Sequence, residues 1–166
     1  MKTFYTLGFI LIFASCFSTT MQAQDTTKTQ KKLLDILPLK DGKVTYTNTI
    51  QVDSVSQEEI YKRAKDWLAH NYEFPTLDEK DELVSRGYIL YGLFKISQTI
   101  TIKIKYGKYK YEITDFTITN NHVDYPLEGY YGSFTRKADY KYIDRRVNEH
   151  IASLEQAIKK KKEDVW

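Results

Sequence analysis

Apolar and polar residues alternate almost without error from Thr99 to Ile118, on both sides of Gly107. Alternation of period two sends successive side chains to opposite faces of a strand, so this stretch predicts a two-faced β-hairpin. With Gly107 and Lys108 as a two-residue turn, Tyr106 faces Tyr109, Lys105 faces Lys110 and Ile104 faces Tyr111. One face then carries Ile100, Ile102, Ile104, Tyr106, Tyr109, Tyr111 and Ile113. The other carries Thr99, Thr101, Lys103, Lys105, Lys108, Lys110, Glu112 and Thr114. Beyond Thr114 the parity changes and would turn Phe116 and Ile118 outward. A β-bulge near Thr114 and Asp115 restores both to the core, and that bulge is expected.

The rest of the chain shows the same two periods. Val44–Val52 alternates, with Val44, Tyr46, Asn48, Ile50 and Val52 on one face and threonines on the other. A helix follows, with Ser56 as N-cap, Glu59 completing a capping box, and Val55 and Ile60 as a hydrophobic staple. Ile60, Ala64, Trp67, Leu68 and Asn71 keep helical spacing, and Phe74-Pro75 ends the run. Asp78–Asp81 reads as an acidic turn. Glu82–Arg86 and Tyr88–Ile96 read as two strands hinged at Arg86-Gly87, with Gly92 marking a bulge or a close backbone approach. Asn120–Ser133 reads as a loop rich in aromatics. A last helix starts between Thr135 and Tyr140 and runs to about Lys162, with Ile143, Val147, Ile151, Leu154 and Ile158 on its apolar stripe. The order strand, helix, four strands, helix gives an α+β fold: a mostly antiparallel sheet with two helices on its apolar face.

Two segments together resemble a known family. One is Val44–Val52 leading into a helix of pattern Ile-Tyr-x-x-Ala-x-x-Trp, from Ile60 to Trp67. The other is the Tyr/Lys hairpin ending in Tyr-x-Ile-Thr-Asp-Phe at Phe116, with Gly87-Tyr-Ile between them. Over roughly residues 44–120 the chain resembles a secreted domain of unknown function, common in Bacteroidota, with a TATA-binding-protein-like (TBP-like) fold. Tyr106 departs from the pattern, which has a charged residue such as Asp before the turn glycine. The resemblance implies a curved antiparallel sheet with helices on one face. It brings no assigned activity and no catalytic residues, and the fold name does not imply DNA binding.

Composition and charge narrow the function classes. Residues 1–23 read as a signal peptide: Lys2, then the apolar run Leu7–Ala14, too short to span a bilayer, then small and polar residues up to Ala23. Residues 24–42 read as a flexible tether and residues 43–163 as the domain. The only cysteine, Cys16, lies within the leader, so neither disulfides nor thiol chemistry is expected after cleavage. Lipidation of Cys16 is the alternative, and the only route to membrane association. The whole chain carries 25 basic and 22 acidic side chains; removing Lys2 with the leader leaves 24 against 22, a formal +2. That balance does not call for a nucleic-acid partner. The expected location is the periplasm or cell envelope.

Candidate chemistry is sparse. His70, His122 and His150 fall in different elements and pair only weakly with carboxylates, so no metal is expected. Asp78, Glu79, Asp81 and Glu82 lack the glycine and ligand alternation of a calcium loop. There is no phosphate loop, nucleophile elbow or zinc signature, and no catalytic residue or cofactor is assigned. Two binding candidates remain. Tyr125, Tyr130 and Tyr131 crowd one loop, where exposed rings can stack on sugars or anchor a partner. Lys103, Lys105 and Lys110 share the outer hairpin face, either as an anion-binding stripe or as a solvated face guarded by lysine against edge pairing. The expectation is a non-catalytic module binding an envelope protein or surface ligand. A glycan or cell-wall binder using the same tyrosines is the alternative, and an uncharacterised enzyme the third reading.

Overall fold

A computed structural model describes residues 35–72, 77–79, 81–130 and 137–159. The elements are β1 (Leu39–Lys40), β2 (Lys43–Val44), β3 (Tyr46–Gln51), α1 (Gln57–Asn71), β4 (Leu77–Glu79), β5 (Glu82–Tyr91), β6 (Phe94–Lys105), β7 (Lys108–Asn120), β8 (Val123–Pro126) and α2 (Lys137–Lys159). A short 3-10 turn, Leu127–Gly129, precedes α2. The main sheet is antiparallel throughout, in the order β3-β7-β6-β5-β4. Strand β7 shares one edge between two partners: β3 covers Lys108–Ile113 and β8 covers Thr117–Asn120. Both helices lie on one face, and the α+β expectation stands.

Burial explains the layers. Ile100, Ile102, Ile104, Tyr109, Tyr111 and Ile113 are buried beneath the helices, as the alternation requires. Helix α1 contributes Ile60, Ala64, Trp67 and Leu68; α2 contributes Tyr140, Ile143, Val147, Leu154 and Ile158. The Ser56 side chain accepts a hydrogen bond from the Glu59 amide at 3.2 Å, so the cap forms where the sequence places it. The helices are joined by polar contacts as well as by packing. The Trp67 indole donates to Ser153 Oγ at 3.0 Å, and Arg63 donates to the Ile158 carbonyl at 2.6 Å, near the end of α2.

The bulge is present. Thr99 faces Thr114 while Ser97 faces Thr117, and Asp115 is exposed with φ +54°. Phe116 and Ile118 return to the core.

Several expectations change. The 99–118 hairpin turns at Tyr106-Gly107, because Lys105 pairs with Lys108, Ile104 with Tyr109 and Lys103 with Lys110. Only Gly107 of the two turn residues has positive φ, +69°, and Tyr106 is exposed rather than inward-facing. β5 runs unbroken through Gly87, so the Arg86-Gly87 hinge does not exist. The glycine is there for space: a Cβ on Gly87 would sit 2.2 Å from Tyr72 Cδ1. Gly92, φ +58°, is the first residue of the β5–β6 turn rather than a bulge. Asp78 and Glu79 belong to β4 instead of a turn. Asn48 is exposed at the sheet margin, so its amide needs no core partner.

The expected 120–133 loop contains a second hairpin. Asn121 and His122 both have positive φ, the geometry of a type I′ turn, and β8 follows directly. Asp41-Gly42 makes the same turn between β1 and β2. Within the expected tether, residues 24–42, Leu37 is buried in the core and Leu39–Lys40 pairs with Lys43–Val44. The leader, Cys16, Phe74-Pro75, Tyr131 and Lys160–Lys162 lie outside the described residues. Among the described residues no helix is long and apolar enough to cross a membrane.

Candidate functional site

Strand register fixes what the helix-free side of the sheet presents, because directly paired residues share a face. Across the sheet the residues form rows. Gln51, Lys108 and Lys105 make the first; Thr49, Lys110, Lys103 and Glu82 the second; Thr47, Glu112, Thr101 and Val84 the third. The first two rows surround a cleft of about 270 Å³ lined by Thr49, Lys103, Lys105, Lys108 and Lys110, with Tyr109. Lys103 is paired with Glu82 at 3.2 Å and Lys110 with Glu112 at 3.4 Å. Lys103, Lys105 and Lys110, singled out from the sequence, are thus brought together, and Lys108 joins them.

At the other end of the face the charge is mixed. Lys95 Nζ lies 4.2 Å above the Tyr88 ring, and Thr119 donates to Asp124 Oδ1 at 2.6 Å.

The tyrosines are placed elsewhere. Tyr125 pairs with Ile118 and shares its core-side face, so it points away from the lysine cleft. Its ring packs on Tyr130, centroids 5.4 Å apart. Tyr130 is buried, and its hydroxyl accepts from Asn120 Nδ2 at 2.8 Å. Tyr125 is 40% exposed, so of the two described loop tyrosines it alone presents part of its ring. The loop therefore folds a ring back over the sheet margin, and the lysine and tyrosine candidates form two surfaces.

A larger cavity of about 710 Å³ lies between the β3–α1 connection and the end of α2, lined by Gln51–Ser56, Glu59, Arg63 and Lys159. Its polar groups have structural work: Ser56 caps α1, and Arg63 binds Glu59 Oε1 at 2.8 Å and the Ile158 carbonyl.

The histidines stay apart. His70 Nδ1 lies 2.6 Å from the Asp66 carbonyl, His122 is a turn residue, and His150 is half-buried beside Tyr72, rings 6.2 Å apart. Burial, reinforced by Arg146, lowers the His150 imidazole from its usual range, against an opposing effect of Glu149. Tyr72 is pushed well above its ordinary value by burial, against a lowering by its Gln98 hydrogen bond. Among the described residues no three potential metal ligands gather.

Residues 46–119 match a family described as a domain of unknown function, DUF4468, with a TBP-like fold. Over that segment the chain is similar to DUF4468 domains. Two solved structures share the architecture. A TBP-like protein from Parabacteroides distasonis aligns with 76% of this chain and 99% of its own, at 17% identity and TM-score 0.60. A DUF4468 family protein from Bacteroides ovatus aligns with 78% of this chain and 93% of its own, at 20% identity and TM-score 0.53. At such identities the likeness is one of fold. No curated protein matches the chain. The DUF4468 match covers the sheet from β3 to β7, including the lysine cleft, and stops before Tyr125.

Proposed function

We propose that this domain is a non-catalytic binding module of the cell envelope, engaging a protein or surface ligand through the helix-free face of its sheet. One observation carries the reading: every described helix packs on the core side, and no described element covers the rows running from Lys105 to Lys95. A broad, rigid face on central strands is a stable platform for contact. The glycan alternative rests on Tyr125 alone among the described residues, because Tyr130 is turned inward.

A photo-crosslinking residue at Thr101, in the middle of the face, tests the reading against the same residue at Lys62 on exposed α1. Adducts formed from Thr101 in native envelope extracts, and absent from Lys62, are expected. Equal labelling from both positions, or none from Thr101, would remove the face as the ligand surface. Intact mass of the mature protein separates export with loss of residues 1–23 from lipidation at Cys16.

A further inference from the structure

The cleft beside the Tyr106-Gly107 turn holds charge that the fold itself does not need. Lys105 stands directly opposite Lys108, and Lys103 directly opposite Lys110. Like charges in direct cross-strand pairs repel. Lysine is often placed on a sheet edge to block pairing with other chains. That explanation fails here, because β6 and β7 are inner strands, with β5 flanking one and β3 the other. Nor does strand propensity ask for lysine, since threonine occupies neighbouring positions of the same face at Thr47, Thr99 and Thr101.

The local charge is also incompletely balanced. Glu82 and Glu112 each pair with one lysine, while Lys105 and Lys108 have no acidic partner among the described residues. Four cations and two carboxylates leave the cleft two positive charges in excess. Its volume of about 270 Å³ is just under the roughly 300–1,000 Å³ typical of small-molecule pockets. It suits one or two charged groups rather than an extended ligand. Thr49 adds a hydroxyl donor at the rim.

We propose that this cleft binds a doubly charged oxyanion, of phosphate or sulfate type, seated between the Lys105–Lys108 pair and the Lys103–Lys110 pair. Bound there, the anion turns two repulsive contacts into attractive ones, so charge costly in the free protein becomes useful in the complex. The inference rests on the reading of the helix-free face as the ligand surface and assigns the chemistry of one end of it.

The test is a titration of the isotope-labelled chain with inorganic phosphate, followed by amide chemical shifts, with a parallel arm using vesicles that contain phosphatidic acid, whose phosphomonoester headgroup can carry two charges. Saturable shifts confined to Thr49 and residues 103–110 are expected. The Lys105→Gln/Lys108→Gln variant should bind at least about tenfold more weakly, a loss of about 1.4 kcal/mol. A Lys62→Gln/Lys65→Gln variant should bind as the parent does. Vesicle binding that depends on Lys105 and Lys108 identifies a lipid headgroup as the source; phosphate binding without vesicle binding identifies a free or polymer-borne group. Shifts that do not saturate, or that appear equally around Lys62 and Lys141, would overturn the proposal. Localised phosphate binding with no crosslinking from Thr101 would keep this site while removing the wider face as a partner surface.

Discussion

Gly87→Ala is the sharpest test of how the helix layer meets the sheet. The new methyl would lie 2.2 Å from Tyr72 Cδ1 and 2.5 Å from Cε1. Carbon atoms pack at about 3.5–4.0 Å, so the ring must retreat by about 1.3 Å or more. It has little room to do so. Tyr72 ends α1, its ring centroid is 5.6 Å from that of Trp67 and 6.2 Å from His150, and its hydroxyl accepts from Gln98 Nε2 at 3.3 Å. Overpacking of this kind costs about 1–3 kcal/mol. Losing the Gln98 contact in a buried site adds about 1–3 kcal/mol, the more so because Gln98 Oε1 already lacks a partner. The stiffer unfolded chain returns about 0.4–1 kcal/mol. A net destabilisation of about 2–4 kcal/mol is expected in urea unfolding. Tyr72→Ala in the same chain should remove most of the clash, making the double variant clearly less unstable than the two single losses combined. A Gly87→Ala variant within about 0.5 kcal/mol of the parent, or strict additivity in the double variant, would refute the account.

Three further outcomes follow from single features. Ser56→Ala removes the side-chain acceptor for the Glu59 amide and should cost about 1 kcal/mol, read as a lower urea midpoint with unchanged slope. At Asp115, φ +54°, glycine should be neutral or stabilising, whereas valine should cost about 1–2 kcal/mol; equal midpoints for the two would argue against a strained bulge. His150 has its imidazole held below the ordinary value, so the fold prefers the neutral ring. That contribution is complete above the unfolded value of about 6.5 and is lost as pH falls through it towards the lowered folded value. Unfolding free energy should therefore drop as pH falls below about 6.5, and His150→Leu should flatten that slope.

Much of the fold was legible because core-facing residues announce themselves by period. The parity break after Thr114 required a bulge, since only an extra residue could bring Phe116 and Ile118 inward, and Asp115 supplies it. The Ser56 cap and the two helix stripes were equally plain. Turn placement was harder. Moving the turn from Gly107-Lys108 to Tyr106-Gly107 leaves every face assignment intact except that of Tyr106, so the hydrophobic pattern could not choose between them. Gly87 misled for a different reason: its purpose is set by Tyr72, a contact across the layers that strand periodicity does not encode. The lysine cluster could be read as a face, but its significance depended on strand order. Only with β6 and β7 placed inside the sheet does edge protection fall away. The tyrosine loop concealed β8 because Asn121-His122 makes a tight turn without glycine.

The shared edge of β7 has a consequence for how the protein is made. Strands β5 to β8 follow one another through three tight turns, so they can zip together from near neighbours as the chain emerges. Strand β3 appears earlier, yet its partner residues, from Lys108 to Ile113, are among the later ones synthesised. Until then Tyr46 and Val52 have no sheet to pack on, and the segment from β3 into α1 must wait as an unpaired, partly apolar stretch. Pulse-labelled hydrogen exchange during refolding should show amides of β6 gaining protection before those of β3. The first strand of the main sheet to leave the ribosome must thus wait for β7 before it can join.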